Sequence, residues 1–250
     1  PRRAIAGQAT LLARTIHDIR YDSLHDEFVV PNQFSQSVLT FRGDASGEVP
    51  PLRVIQGPLT QLTRPDRLDI DPVHNEIAVP NSDSVAVFAR EANGNAAPIR
   101  VIRGPMTQLK GASSIAIDPV NPERVYVAVL GHPYGPNPER GIYRTTDGGK
   151  TWQKVLYKDE YTGAAEVQVA PGDGNTVYAA LWDSQHGPWE NSSFLGRNSG
   201  LYKSTDGGTT WKQLTKGLPT ADDGLGRIGI AIAPSNPNRI YAIVGAQRGG

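Results

Sequence analysis

Two stretches of the sequence hold residue types that could do chemistry and that do not recur elsewhere in the chain. They are LGHPYGPNPERG at 130–141 and LWDSQHGPWENSSFLGRNSG at 181–200. Histidine beside a carboxylate can exchange protons, and an exposed aromatic ring beside polar groups can stack on a sugar. The candidate ligand-binding residues are His132, Tyr134, Arg140, Trp182, Asp183, His186, Trp189 and Glu190. We favour the plainer alternative, in which the rings hold the loops in place and the histidines are solvated.

The rest of the composition limits the chemistry further. The 250 residues include 25 basic and 25 acidic side chains and no cysteine. The chain has no basic stripe for nucleic acid and no cationic amphipathic segment for a membrane. Thiolate metal sites and cysteine nucleophiles are excluded, and no metalloprotease, nucleophile-elbow or phosphate-loop motif occurs. We therefore expect no catalytic residues, no metal and no cofactor.

Targeting signals are also missing from this sequence. It opens PRRAIAGQATLLART without a long apolar segment, so we expect no signal peptide. No apolar run reaches the ~18 residues that a spanning helix needs. The compartment stays open.

The first part of the chain is internally repeated. IRYDSLHDEFVVPN at 19–32 recurs as LDIDPVHNEIAVPN at 68–81. RVIQGPLTQL at 53–62 recurs as RVIRGPMTQL at 100–109, and RAIAGQATLL at 3–12 is a diverged third copy. Repeats of this size indicate an array of similar structural units.

The second part of the chain is also internally repeated, with a different sequence motif. SIAIDPVNPERVYVA at 114–128, VQVAPGDGNTVYAA at 167–180 and IAIAPSNPNRIYAI at 230–243 each alternate apolar residues around a Pro- or Gly-containing turn. Alternation with Val, Ile and Tyr predicts strand, turn, strand. GIYRTTDGGKTWQKV and GLYKSTDGGTTWKQL each add a second hairpin.

Four short strands per unit are typical of propeller blades. A helical solenoid would need 3.6-residue periodicity, which is absent. We predict an all-β fold: one five-bladed β-propeller domain over residues 1–250. The last unit ends after two strands, so we expect the N-terminal strand near residues 3–5 to close the fifth blade. The thin fifth blade would promote self-association through its bare edge.

The duplicated hairpin carries a resemblance to a known family. The pattern S/T-x-D-x-G-x-T-W resembles the Asp-box, or BNR repeat, of sialidases, sortilin-type receptors and glycosyl hydrolase-like propellers. Its residues are Thr145, Asp147, Gly149, Thr151 and Trp152, and again Ser204, Asp206, Gly208, Thr210 and Trp211. An Asp oxygen can close a turn by accepting backbone N–H groups, and glycine supplies positive φ. We assign these ten residues a structural role, because a catalytic motif is rarely duplicated.

The sequence motif of the repeats changes at Lys110–Gly111. Residues 1–110 resemble NHL-type repeats, on the DP-x-x-N-E-I-x-V-P-N pattern, whereas residues 111–250 resemble Asp-box propellers. TQLTRPDRLDIDP and TQLKGASSIAIDP keep one register across this change. We favour a chimera of two propellers, natural or made in the laboratory, over ordinary divergence.

The sequence predicts a non-catalytic scaffold or interaction module with no dedicated activity. The alternative is a glycan-binding or glycoside-hydrolase-like protein that uses the long loops, with a carbohydrate as its partner. Sialidases use an arginine cluster with a tyrosine and a glutamate, and no motif identifies such a set here. A lactonase-like metal site from an NHL-type parent is a third alternative, for which no carboxylate cluster can be assigned.

Overall fold

The computed structural model describes residues 2–187 and 193–247. It contains two compact units, Pro1–Arg103 and Gly104–Gly250. In the described residues, no helix has the length and apolar character required to span a bilayer.

The first unit contains two four-stranded antiparallel sheets whose strands follow chain order. The first sheet consists of β1 (Arg20–Asp22), β2 (Glu27–Asn32), β3 (Ser37–Arg42) and β4 (Arg53–Gln56). The second sheet consists of β5 (Asp69–Asp71), β6 (Glu76–Pro80), β7 (Ser84–Ala89) and β8 (Arg100–Arg103). Short 3-10 helices lie at Gln8–Thr10, Gln33–Ser35 and Pro58–Thr60.

The second unit contains two further four-stranded sheets and one two-stranded sheet. The third sheet consists of β9 (Ala112–Ile117), β10 (Val125–Val129), β11 (Gly141–Thr145) and β12 (Gln153–Leu156). The fourth consists of β13 (Thr162–Ala170), β14 (Asp173–Asp183), β15 (Gly200–Ser204) and β16 (Lys212–Leu214), and the fifth of β17 (Leu225–Ile232) and β18 (Ile240–Ala246). Short 3-10 helices lie at Pro105–Thr107 and Ala221–Asp223.

An aspartate closes the first turn of three sheets. The Asp22 carboxylate accepts the amides of Leu24 and His25 at 3.0 and 3.2 Å. Asp71 and Asp118 accept the amides two and three residues later in the same way. The same turn therefore occurs on both sides of Lys110–Gly111.

Apolar faces of successive sheets form the cores of each unit. In the first unit, Val29, Val38 and Ile55 pack against Ile77 and Phe88 of the second sheet. In the second unit, the third and fourth sheets share a core that includes Tyr126, Ile142, Val167 and Leu181. The fourth and fifth sheets share another, which includes Tyr178, Leu201, Ile228 and Ile230.

A side-chain acceptor also joins neighbouring sheets at one recurring position, four residues before Asp22, Asp118 or Ala170, where the first turn of the repeat begins. In the first unit, Asp18 Oδ2 accepts the amide of Leu68 at 3.2 Å. In the second unit, Ser114 Oγ accepts the amide of Val167 at 3.4 Å. At the next junction of the second unit, Glu166 Oε2 accepts the amide of Ile230 at 3.2 Å. The acceptor at this position is therefore an aspartate, a serine or a glutamate.

Within residues 2–187 and 193–247 the structure contains four complete blades and not the five predicted from the sequence. The fifth sheet has two strands in the part of the chain that the structure describes. In the first unit, Ile5 forms a parallel bridge to Gly47, just as Ile55 does to Gly94. Ile5 therefore takes the place of an outermost strand, but these contacts do not confirm closure of the fifth blade, which stays a prediction.

Candidate functional site

The two long loops of the second unit are tied together by a buried arginine. Arg140 is fully buried, and its Nη1 donates to the carbonyls of Tyr161 and Ser184 at 2.5 and 3.1 Å. Its Nη2 donates to the carbonyls of His132 and Gly135 at 3.2 and 3.5 Å. The guanidinium thus binds four backbone oxygens, as a metal cation would in an oxygen-lined site.

Two carboxylates, those of Asp183 and Asp159, lie near enough to the Arg140 guanidinium to act on its charge. Burial lowers the pKa of Arg140, while Asp183 and Asp159 act in the opposite sense. Because neutral carbonyls are its partners, the guanidinium serves chiefly to fix loop geometry.

Four aromatic side chains from the two loops form an aromatic cluster, which consists of Tyr134, Trp182, His186 and Phe194. His186 meets Tyr134 and Phe194 edge to face, with ring centroids 6.2 and 5.1 Å apart. Phe194 stacks on Trp182 with centroids 6.0 Å apart. The loops are joined again where the His186 amide donates to the Pro133 carbonyl at 2.8 Å.

The rings of the aromatic cluster differ in how much they offer to a ligand. Trp182 stacks on Phe194, donates its Nε1 to the Phe194 carbonyl at 2.8 Å and lies 5.6 Å from the Arg227 guanidinium. Trp182 is therefore engaged by the protein itself. Tyr134 and Phe194 are exposed and provide the accessible aromatic surface.

Two carboxylates lie beside the loops in different surroundings. Burial raises the pKa of Asp183, and the neighbouring Asp159 carboxylate adds to that rise. Asp159 accepts the amides of Tyr161 and Thr162, both at 2.8 Å, and the side-chain amide of Asn198 at 2.6 Å. One carboxyl is thus biased toward protonation while the other is anchored by three donors.

The structure brings most of the predicted site residues into one region, in unequal roles. Tyr134, Trp182 and His186 belong to the aromatic cluster, and Arg140 binds the loop carbonyls. His132 is exposed and contributes its carbonyl to Arg140, and Asp183 lies beside Asp159. Trp189 and Glu190 lie outside the described residues.

Sequence reasoning missed three residues of this region: Asp159, Phe194 and Arg227. Phe194 lies in the quoted 181–200 loop, and its aromatic character was a usable signal. Asp159 and Arg227 come from other stretches, and no local pattern marks them. Their approach to the loops depends on how β13 and β17 pack.

The duplicated hairpins use their polar groups within the turn. Asp147 accepts the Thr151 amide at 2.9 Å and the hydroxyls of Thr151 and Thr145 at 2.6 and 2.7 Å. Gly149 donates its amide to Thr145 Oγ1 at 2.9 Å and accepts Trp152 Nε1 at 3.1 Å. The second copy repeats these bonds at Ser204, Asp206, Gly208, Thr210 and Trp211.

A metal site would need several ligating side chains together. Within residues 2–187 and 193–247, no group of three or more His, Asp or Glu side chains is placed to hold a metal ion.

The four-stranded sheets belong to an all-β propeller fold, and solved structures support this class. The chain is similar to a hydrazine synthase from Kuenenia stuttgartiensis (TM-score 0.56, 14% identity), covering 93% of this chain and 62% of that one. It is also similar to the GH74 xyloglucanase of Xanthomonas campestris (TM-score 0.57, 18% identity), covering 93% of this chain and 35% of that one.

A third similar structure is the GH74 enzyme of Niastella koreensis, with a TM-score of 0.57 and 18% identity. That likeness covers 90% of this chain and 33% of the other. The chain therefore spans less than two thirds of each of these proteins, and at such identities the likeness shows the fold alone. No protein-family model and no curated protein matches the sequence.

Proposed function

We propose that this protein is a non-catalytic interaction module that presents the aromatic cluster as its binding surface. The observation that carries the proposal is the joining of two long loops through Arg140 and the cluster. A surface fixed before binding loses less conformational entropy when a ligand arrives. The repeated hairpins, whose polar groups bond within the turn, support the scaffold part of this role.

The ligand class that fits this surface is carbohydrate. Tyr134 and Phe194 expose flat apolar rings, and His132 and Gln185 are exposed polar neighbours in the same loops. Sugar rings combine an apolar face with a rim of hydroxyl groups, which matches rings bordered by hydrogen-bonding groups.

A glycan array with the purified protein tests this proposal. We expect Tyr134→Ala and Phe194→Ala each to weaken binding by about tenfold, which corresponds to roughly 1.4 kcal/mol. Tyr157→Ala is the matched control, because Tyr157 is an exposed tyrosine of the same unit outside the cluster. Equal effects of all three variants, or no bound glycan, would count against the proposal.

A second candidate function is glycoside hydrolysis, favoured by the paired carboxyls Asp159 and Asp183. Glycosidases pair a carboxyl of raised pKa with an ionised one, and the raised pKa of Asp183 has that sense. Turnover of an aryl glycoside that Asp183→Asn abolishes would establish this function. Absence of turnover with intact glycan binding supports the non-catalytic module.

We also propose the finer classification that the repeats suggest. Residues 111–250 would derive from Asp-box propellers and residues 1–110 from NHL-type ones, joined as a chimera. The shared turn geometry of Asp22, Asp71 and Asp118 supports a junction in register. The fifth sheet would be the remainder of a fifth blade, completed by a strand like that at Ile5. Natural sequences in which one repeat type continues across Lys110–Gly111 would identify two parent families. Full-length homologues that contain both repeat types would favour divergence.

A further inference from the structure

The first sheet has an apolar face on which, among the described residues of the first unit, the N-terminal segment packs instead of a second sheet. Ile19 is 56% exposed, whereas Leu68, at the matching position of the second sheet, is 0% exposed. Leu68 is covered because Val29 and Val38 of the first sheet pack over it. The matching face of the first sheet instead lines a groove of about 620 Å³, whose walls include Ile5, Leu12, Ile16, Ile19, Phe28 and Phe41. We call this the receiving face.

The fifth sheet exposes its other face, the one that in the third sheet packs on the following sheet. Tyr241 is 61% exposed, whereas Tyr126, at the matching position of the third sheet, is 0% exposed. Ile243, two residues along β18 and on the same side, is 84% exposed. In the third sheet this side packs on the following sheet. We call the Tyr241 and Ile243 side the presenting face.

Each internal junction of both units joins a presenting face to a receiving face. We propose that the presenting face of one copy docks on the receiving face of a second copy, head to tail. Ile19 on the receiving face is exposed in the same chain as Tyr241 and Ile243 on the presenting face, so every copy offers one of each. Large exposed apolar residues on a continuous sheet face mark interaction surfaces.

The N-terminal segment strengthens this choice of occupant. Its residues Ala4 and Ala6 exchange hydrogen bonds with Gly47, at 2.7 and 3.2 Å, and thereby hold Ile5 at the border of the receiving face. In the second sheet the equivalent place is held by β4, the outermost strand of the preceding blade. The docking copy would therefore find one strand of its incomplete blade already in place.

Sedimentation of surface variants tests the head-to-tail contact. Ile19→Lys damages the receiving face and Ile243→Lys the presenting face, and both residues are exposed, so both variants should fold. We expect wild type to form open-ended oligomers with rising concentration, and each variant alone to stay monomeric. An equimolar mixture should form dimers only, because each variant keeps one intact face.

Several outcomes would overturn the proposal. Wild type that stays monomeric at all concentrations would do so. Association that Ile243→Lys prevents and Ile19→Lys leaves unchanged would indicate edge pairing of two β18 strands instead. Val73→Lys, at an exposed position outside both faces, is the control and should associate like wild type.

Engineered cysteines identify the copy that supplies the contact, because the chain has none of its own. Single variants Ile19→Cys and Ile243→Cys should form mixed disulfide dimers when oxidised together. A double variant that forms only an intrachain disulfide would overturn docking of a second copy and indicate closure within one chain. Glycan binding is measured separately at Tyr134, so failure here leaves the proposed function untouched.

Discussion

Tyr126 and Gly207 join two sheets of the second unit through one buried hydrogen bond. Tyr126, in β10, donates its hydroxyl to the Gly207 carbonyl at 2.9 Å. Gly207 belongs to the duplicated hairpin of the fourth sheet, and Arg144 donates to the same carbonyl at 2.6 Å. The hairpin thus closes its own turn and also anchors the neighbouring sheet.

The first prediction concerns this bond. Tyr126→Phe should lower the free energy of unfolding by about 0.5–1.5 kcal/mol, since a buried hydrogen bond is lost while the ring remains. Urea denaturation measures the change. Tyr241→Phe is the control, because Tyr241 is the matching but exposed tyrosine, and it should have almost no effect. Equal shifts in both variants would contradict a specific role for the bond.

The second prediction concerns the pH dependence of the hairpins. The Thr151 hydroxyl and then its amide lower the pKa of Asp147 from 3.8 to about 2, and Thr210 lowers that of Asp206 in the same way. A lowered carboxyl pKa stabilises the folded state above the ordinary value, and this stabilisation is lost as pH falls toward the folded value. Asp147→Ala and Asp206→Ala should therefore lower the urea midpoint at pH 7, by an amount that shrinks between about pH 4 and pH 2.

The control for this prediction is Asp83→Ala, an exposed aspartate outside both hairpins. Its midpoint should follow that of the wild type across the whole pH range. Hairpin variants whose midpoints coincide with those of the wild type at every pH would show that the two carboxylates do not stabilise the fold.

The third prediction separates the charge of Asp18 from its role as an acceptor. Burial raises the pKa of Asp18, although Arg20 and Arg67 act in the opposite sense. The folded state therefore holds this proton more tightly, and its contribution to stability decreases as pH rises from 3.8 through the folded value. Asp18→Asn should keep the bond to the Leu68 amide and flatten this dependence. Asp18→Ala should cost about 1–3 kcal/mol, because a buried amide loses its acceptor. Asn and Ala variants of equal stability in chemical denaturation would refute the acceptor role.

The fourth prediction concerns the arginine that joins the loops. Arg140→Met should lower the free energy of unfolding by at least about 2 kcal/mol, because four carbonyls lose a charged donor. The near-ultraviolet circular dichroism of the Trp182 region should weaken with it. Arg197→Met is the control: its exposed pair with Asp222 should contribute less than about 1 kcal/mol. Unchanged stability and spectrum in Arg140→Met would mean that the loops are held by other contacts.

Much of the fold could be predicted because the signals are local. The turns at Asp22, Asp71 and Asp118 depend on side chains bonding amides two and three residues away, so the repeats reveal them directly. The duplicated hairpins are equally local. The sequence also indicated that the last repeat unit ends after two strands, while the number of complete blades required the pairing of strands to be known.

The candidate site was less predictable because its contacts join distant segments. Arg140 was named as a candidate ligand-binding residue, and its guanidinium is bonded to carbonyls of both loops. Trp182 was named as a candidate for sugar stacking, and its ring stacks on Phe194. Residue type identified both positions as candidates, whereas the partners of their side chains depend on the tertiary packing of the loops.

The acceptor that links neighbouring sheets is carried by a side chain, and its chemistry changes from Asp18 to Ser114 to Glu166. At these three junctions the acceptor oxygen therefore keeps its place while the residue type changes. A protein engineer who grafts a foreign blade should therefore inspect this position for an acceptor oxygen.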